Sequence, residues 1–250
     1  MFLIIFFLSL ALIAGFFIGC VGIGGVLLVP GLSFGGIEIH DAIAASLFSY
    51  IICGSVAAWI FHRKGSIEWP GAGWLSLGAM PAAVVGAVAA TAMSATVLEG
   101  IIGLSVLFSG LRAFLRRPAS SGTHKSLSVA QLLIIGSVTG FGSALTGTGG
   151  PFVLVPILVW FDLPILAVIG FSQAVQVPIS LFATMGNYFY GHVDFQLGLL
   201  LGVGLLVGTT AGALVAHNMQ TSSLRRLVGV LLLVAGAVFL ARFAGHHGWQ

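Results

Sequence analysis

Two stretches of the chain place a glycine cluster and a following proline inside long apolar runs. Residues 15–30 read GFFIGCVGIGGVLLVP, and residues 140–156 read GFGSALTGTGGPFVLVP. Glycine adopts backbone conformations closed to other residues and proline removes a backbone donor, so a continuous helix is expected to break at each cluster. Inside a membrane the freed N–H and C=O groups must face protein or a water-filled cavity. Both breaks are therefore candidate binding sites.

The apolar character of the whole chain indicates a membrane environment. Hydrophobic residues make up 58% of the 250 residues, charged residues only 6%, and the mean hydropathy is +1.15. Water could not solvate such a surface on a soluble domain, so the sequence predicts a polytopic membrane protein surrounded by lipid. The net charge of +3 comes without a basic stripe or an aromatic platform, which argues against a nucleic-acid partner.

The two glycine clusters belong to a repeat that covers the chain. The clusters are 125 positions apart, and the offset becomes 126 after the inserted Pro151. Pairs of identical residues at that offset are Pro30 and Pro156, Ser46 and Ser172, Gly65 and Gly191, Gly86 and Gly212, Leu98 and Leu224, and Gly103 and Gly229. The polar segment PASSGTHKSLS separates the halves. We therefore predict a first transmembrane repeat at 1–117, an inter-repeat loop at 118–128 and a second transmembrane repeat at 129–250.

Each repeat is expected to hold one glycine-broken helix and three transmembrane helices, which gives an all-α fold. The helices are predicted near 42–61, 75–93, 97–115, 164–190, 195–217 and 224–243. Each broken run, 1–37 and 129–161, exceeds the roughly 20 residues that one crossing needs. Such a run is either one tilted crossing with an appendage or a hairpin that turns at the glycines.

The positions of the basic residues bear on how the two repeats are oriented. If each half crosses four times the repeats are parallel, and Arg225 and Arg226 fall outside the cytoplasm. If each broken run is a hairpin, each half crosses three times, the repeats are inverted, and only Arg242 falls outside. The count, the length of both broken runs and their glycines favour inversion.

The glycine breaks have a chemistry that suits an anion. In inverted-repeat transporters the N-termini of half-helices point N–H groups and positive dipole ends at a bound anion near the midplane. Here the half-helices are expected to begin near Val26 and Phe152. The candidate substrate-binding residues are Gly22, Gly24, Gly25, Ser46, Thr146, Gly147, Thr148, Gly149, Gly150, Ser172, Gln173 and Gln176.

Structural roles are the alternative for the same residues. Glycines permit close helix packing, and buried hydroxyls and amides form interhelical hydrogen bonds without any ligand. Asn187 lies near a helix end, where a structural role is expected. Histidines and carboxylates do not cluster at metal-ligand spacing, so no metal or cofactor is expected.

Together these features resemble the sulfite exporter TauE/SafE family. The resemblance rests on two GxGG clusters, each followed by an apolar run with proline, a helix of small and serine residues, and a glycine-led turn ending in an acid, Gly65–Glu68 and Gly191–Asp194. It implies a multi-pass transporter of the inner (plasma) membrane that moves small sulfur-containing anions, such as sulfite or organosulfonates, generally outward. The alternatives are an intramembrane enzyme, which would need a base near Ser143, and a structural subunit of a membrane complex.

Overall fold

The fold consists of α-helices throughout the described part of the chain. The computed structural model describes residues 2–94, 127–161 and 163–219, with a few isolated positions between 97 and 237. The helices are α1 (Phe2–Val21), α2 (Gly25–Phe34), α3 (Ile39–Arg63), α4 (Trp69–Ala92), α5 (Val129–Thr146), α6 (Pro151–Trp160), α7 (Ile165–Tyr190) and α8 (Phe195–Ala216). The all-α prediction is confirmed. The helices predicted near 97–115 and 224–243, and nearly all of the inter-repeat loop, lie outside the described residues.

Six of these helices are long and apolar enough to cross a membrane: α1, α3, α4, α5, α7 and α8. By contrast α2 and α6 have ten residues each. At about 1.5 Å per residue, each covers roughly half of a bilayer core. α4 begins earlier than the apolar pattern predicts, at Trp69, because Pro70 in the first turn favours a helix start there.

The first broken run folds as a hairpin. A Cβ atom added to Gly24 would overlap the carbonyl oxygen of Ala14, and one added to Gly35 would overlap the ring of Phe7. Residues progressively later in α2 thus lie beside progressively earlier residues of α1. α2 therefore runs back along α1, and of the two forms left open by the sequence the hairpin is the one observed.

Close backbone contacts hold α1 against α8 and α4 against α5. In each pair the glycines of one helix lie directly on backbone atoms of the other, so that an added Cβ atom would overlap a carbonyl oxygen or meet it at 2.5 Å. These glycines are Gly15, Gly19, Gly208 and Gly212 in the first pair and Gly78, Gly86, Gly136 and Gly140 in the second. Packing of small residues at this spacing is typical of membrane helices. Both pairs run parallel.

α3 and α7 cross at the centre of the bundle in opposite directions. Asp41 in the first turn of α3 contacts His192 just beyond the end of α7. At the other end, Gly170 near the start of α7 lies against Ser66 just beyond the end of α3. α8 packs along α3 and α4 packs along α7, so these two central helices lie between the close-packed pairs.

Candidate functional site

Both chain breaks occur at the glycine clusters. Between α1 and α2 the backbone turns at Gly22, whose φ of +80° is in the left-handed region. Between α5 and α6 it turns at Gly147, Gly149 and Gly150, with φ of +67°, +77° and +107°. The half-helices begin at Gly25 and Pro151, one residue earlier than predicted. Proline suits the first position of α6, because the N–H group of a first helical residue has no acceptor within the helix and its absence costs no helical hydrogen bond.

The N-termini of α2 and α6 meet inside the bundle. A Cβ atom on Gly25 would lie 2.6 Å from the carbonyl oxygen of Thr148, and one on Gly22 would lie 3.6 Å from Cβ of Pro151. The backbone N–H groups of Gly25, Gly149 and Gly150 donate no hydrogen bond to any of the described residues. Two positive helix ends therefore point unpaired donors into the same buried region.

Tyr50 and Gln176 cover this region from α3 and α7. The hydroxyl of Tyr50 donates to the carbonyl oxygen of Gly25 over 3.2 Å, and its ring lies directly against Gly149. The backbone of Gln176 lies beside Gly150, with its Cα atom 3.5 Å from a Cβ atom placed there. Both side chains are buried. Tyr50 of the first half therefore contacts both breaks, whereas Gln176 lies beside the break of its own half.

Tyr50 is a site residue that the sequence analysis missed. An aromatic residue in an apolar helix is normally interpreted as part of the hydrophobic core. The residue type of Tyr50 therefore gives no reason to select it. The signal was nevertheless present: the offset of 126 that pairs Ser46 with Ser172 also pairs Tyr50 with Gln176.

Three of the four hydroxyl groups predicted for the site donate to the protein, whereas Ser46 Oγ is buried without a hydrogen-bond partner among the described residues. Thr146 Oγ1 donates to the carbonyl oxygen of Gly142 over 2.7 Å, which leaves Thr148 Oγ1 to donate to Thr146 Oγ1 over 2.9 Å. Ser172 Oγ donates to the carbonyl oxygen of Ile169 over 2.7 Å. These hydroxyls stabilise the turn and the helix, and they can still accept hydrogen bonds.

The two glutamines of α7 differ in how firmly their amide groups are held. Gln173 Nε2 donates to the carbonyl oxygen of Ile18 over 2.7 Å and so ties α7 to the last turn of α1. Gln176 Nε2 has only a long contact of 3.6 Å with Cys53 Sγ. The Oε1 atom of each is buried and has no partner within the described ranges. Gln176 is therefore the amide more readily redirected toward a ligand.

All of the predicted site residues are buried, but they do not all face one point. The structure brings together Gly22, Gly25, Thr148, Gly149, Gly150, Ser172 and Gln176. Gly24 instead packs on α1, and Gly147 lies against Ile43 and Val29. Ser46 lies one turn before Tyr50 on α3. Thr146 and Gln173 donate the hydrogen bonds to Gly142 and Ile18 described above.

The centre of the bundle contains no charged side chain among the described residues. The acidic and basic residues of the described ranges lie at or beside helix ends instead: Glu38, Asp41, Arg63, Lys64, Glu68 and Asp194. What the described residues offer an anion at this site is helix dipoles, backbone N–H groups and neutral side chains. Broken helices that meet in the middle of a membrane-spanning bundle, around a buried polar site, are typical of a membrane transporter.

Comparison with known proteins identifies the family. The family model described as sulfite exporter TauE/SafE matches residues 7–239, so the chain belongs to that family. The resemblance in the sequence is thereby confirmed, and the chain is a multi-pass membrane transporter and not an enzyme.

Several curated relatives have names that agree with this class. A probable membrane transporter protein of Bacillus subtilis, YdhB, is 25% identical over 96% of this chain and 100% of its own length. A probable membrane transporter protein of Xylella fastidiosa (strain 9a5c) is 26% identical over 91% of both chains. One from Methanocaldococcus jannaschii is 23% identical over 93% of this chain and 95% of its own. No solved structure matches the chain.

Proposed function

We propose that this transporter exports a small sulfur-containing anion, sulfite or an organosulfonate, and binds it where the two glycine breaks meet. The observation that carries this proposal is the convergence of two helix N-termini in a buried region where the described residues provide neither a partner for their N–H groups nor a charged side chain. Backbone donors at helix N-termini suit sulfonate and sulfite oxygens. The family description names a sulfite exporter, which supports the same substrate class.

We further propose that the two repeats, 1–117 and 129–250, are inverted and alternate access to this site. Support comes from the directions of helices at equivalent positions. α3 and α7 correspond at the offset of 126 and run in opposite directions. α1 is parallel to α8 and α3, whereas its counterpart α5 is parallel to α4 and α7. Inverted repeats of this kind allow one half to rock against the other around a fixed central site.

The orientation of the molecule in the membrane follows from its basic residues. Arg63 and Lys64 end α3, and the Arg63 guanidinium lies over the ring of Trp59 at 5.7 Å. Basic residues beside interfacial tryptophans are expected on the cytoplasmic side. The opposite end of α3, with Glu38 and Asp41, then faces outward. Cysteine accessibility tests this: a cysteine at Lys64 should resist an impermeant external reagent, and one at His192 should react with it.

Counterflow into vesicles tests the substrate and the site together. The purified chain is reconstituted, the vesicles are loaded with unlabelled sulfite or a sulfonate, and uptake of the labelled anion is followed. Wild type should accumulate label, and Gly150→Leu should not, because the side chain occupies the space beside the bare N–H groups. Gly73→Leu is the matched control, since Gly73 is exposed on α4 and has open space around it.

Two outcomes would contradict the proposal in different ways. Exchange of other solutes but of no sulfur-containing anion would show that the substrate class is wrong. Wild-type exchange by Gly150→Leu would show that the anion binds elsewhere.

A further inference from the structure

A polar cavity lies at the mouth of the bundle, away from the glycine breaks. It has a volume of about 360 Å³ and is formed where α3 begins and α7 ends. Its polar lining includes Glu38, His40, Asp41, Asn187 and His192. The described residues of the glycine breaks do not line it. This cavity, here called the mouth cavity, is at the end of α3 opposite Arg63.

Asn187 gives the mouth cavity a donor that has no acceptor. Its side chain is only 4% exposed, and its Nδ2 atom is buried without a hydrogen-bond partner in the parts of the chain that the structure describes. A buried amide donor without a partner destabilises a protein, so most such groups in folded proteins are paired. Asn187 is one of the residues that line the cavity, so an acceptor bound there, such as an oxyanion, is a candidate partner for this amide.

Two histidines of the mouth cavity each pair with a carboxylate. His192 Nδ1 lies 3.2 Å from Asp41 Oδ1, and His40 Nδ1 lies 3.5 Å from Glu38 Oε1. His40 Nε2 lies 3.2 Å from the carbonyl oxygen of Met93, so both nitrogens of that ring face acceptors. Only a doubly protonated imidazole can donate to both.

The charge of the mouth cavity therefore depends on bound protons. With both rings neutral, the two carboxylates repel an anion. With both rings protonated, the four charges cancel, and His192 Nε2 changes from an acceptor to a donor. The other titratable group of the described lining is the Tyr190 phenol, while α4 contributes only Ala90 and Thr91. An anion held in this cavity would therefore favour the protonated form of the two rings.

A row of polar side chains connects the mouth cavity to the glycine breaks. Gln176, Ser180, Thr184 and Asn187 are spaced by four, four and three residues, so they lie on one face of α7. Each is buried, and each has a polar atom without a partner among the described residues. Ile43 of α3 lies between the mouth cavity and the second glycine break. It lines the mouth cavity, and its backbone also lies against Gly147.

We propose that the mouth cavity is a second binding site for a small oxyanion, which it holds together with protons on His40 and His192. The inference rests on the proposed function, because the anion bound here is the one that exchanges with the glycine breaks along the polar face of α7. Asn187 and the outer nitrogen of His192 are its donors.

Titration calorimetry on the purified full-length chain tests this inference with methanesulfonate as the probe. This anion does not itself titrate in the working range, unlike sulfite. Binding is measured at roughly pH 5.5 and at roughly pH 8.5, two values that bracket the range in which histidine side chains commonly change charge. Two buffers of different ionisation enthalpy report the protons taken up. In wild type, the mouth cavity should bind at least about tenfold more tightly at the lower pH, with net proton uptake.

The variants separate a specific role from damage to the fold. Asn187→Leu should weaken binding about tenfold at the lower pH. Asp41→Asn should improve binding at the higher pH, because it removes a repelling charge, and a misfolded protein could not show that gain. His192→Gln should abolish most of the pH dependence. His62→Gln, at the opposite end of α3, is the matched control and should behave as wild type.

The Gly150→Leu variant separates this inference from the proposed function. If this variant loses counterflow but still binds methanesulfonate with proton uptake, the result supports both the proposed function and the mouth cavity as a second site. Retained proton-linked binding in a wild type that shows no counterflow of any sulfur anion supports the mouth cavity and contradicts the proposed export. Loss of all binding in folded Gly150→Leu, or a wild type with no saturable binding at either pH, overturns the mouth cavity as a second site. Unchanged pH dependence in His192→Gln and Asp41→Asn overturns its link to protons.

Discussion

The two glycine breaks occupy equivalent positions but are built differently. In the first, only Gly22 has a left-handed backbone, and Gly24 has an ordinary helical φ of −76° while it packs against α1. In the second, all three glycines have positive φ, and the hydroxyls of Thr146 and Thr148 fix the turn from within. What the two share is a helix N-terminus with bare N–H groups. Close packing against α1 produces this end in the first half, and a left-handed backbone at three glycines produces it in the second.

The largest effect is expected from Gly24→Ala in the first break. The added methyl group would overlap the carbonyl oxygen of Ala14, and backbone atoms cannot move aside as a flexible side chain can. We expect the free energy of unfolding to fall by about 3 kcal/mol, measured by denaturant titration in detergent. Gly73→Ala, with open space around it, should be unchanged. A loss at Gly24 no larger than that control would mean that packing on α1 does not hold the first break.

A smaller loss of stability is expected from Gly150→Ala in the second break. Its φ of +107° is strained for any residue with a side chain, which costs about 2 kcal/mol. The nearest neighbour of the new methyl group is the flexible end of Ile179 at 3.1 Å, which can adjust. At roughly pH 8.5, where the mouth cavity is expected to bind only weakly, the variant should also lose the rise in melting temperature that the substrate gives wild type. A full substrate-induced shift would remove Gly150 from the site.

Gln176→Leu and Tyr50→Phe compare the two side chains that cover the breaks. The leucine removes a weakly held amide at similar volume, so substrate affinity should fall about tenfold with little change in stability. The phenylalanine removes one protein hydrogen bond of 3.2 Å, so stability should fall by about 1 kcal/mol with affinity nearly kept. Half-saturation in counterflow and the melting temperature distinguish these results. The reverse pattern would exchange the roles of the two residues.

The smallest effect is expected from Thr148→Val, which makes the second break resemble the first, where Ile23 occupies the matching position. The hydroxyl of Thr148 donates within the turn, so its loss should cost only about 0.5–1 kcal/mol of stability. Transport should continue at nearly the wild-type rate in counterflow. Loss of transport in a protein of normal stability would mean that the hydroxyl contacts the substrate after all.

Some of this architecture could be predicted from the sequence because it depends on residue type alone. A glycine cluster followed by a proline indicated where each helix breaks, and the length of the apolar runs indicated which segments cross the membrane. The roles of individual glycines could not be predicted: Gly24 packs on α1 while Gly149 has a left-handed backbone, and both positions require only the absence of a side chain. Hydrogen-bond direction was also hidden, since Thr148 donates to Thr146 and not into the site. Such choices depend on neighbours that only the folded chain brings together.

The pairing of α1 with α8 and of α4 with α5 bears on how such a chain could have arisen. Each close-packed pair joins one helix from each half, and α4 has its main contacts with α5 and α7 of the other half. If the two halves descend from one shorter chain, that ancestor could not have buried its glycine faces by itself. If the halves are inverted, as proposed above, it would have assembled as two copies inserted in opposite directions across the same membrane, and gene fusion would then have fixed one copy in each orientation. The unequal breaks are what such a fusion permits, because a substitution on one side no longer has to be repeated on the other.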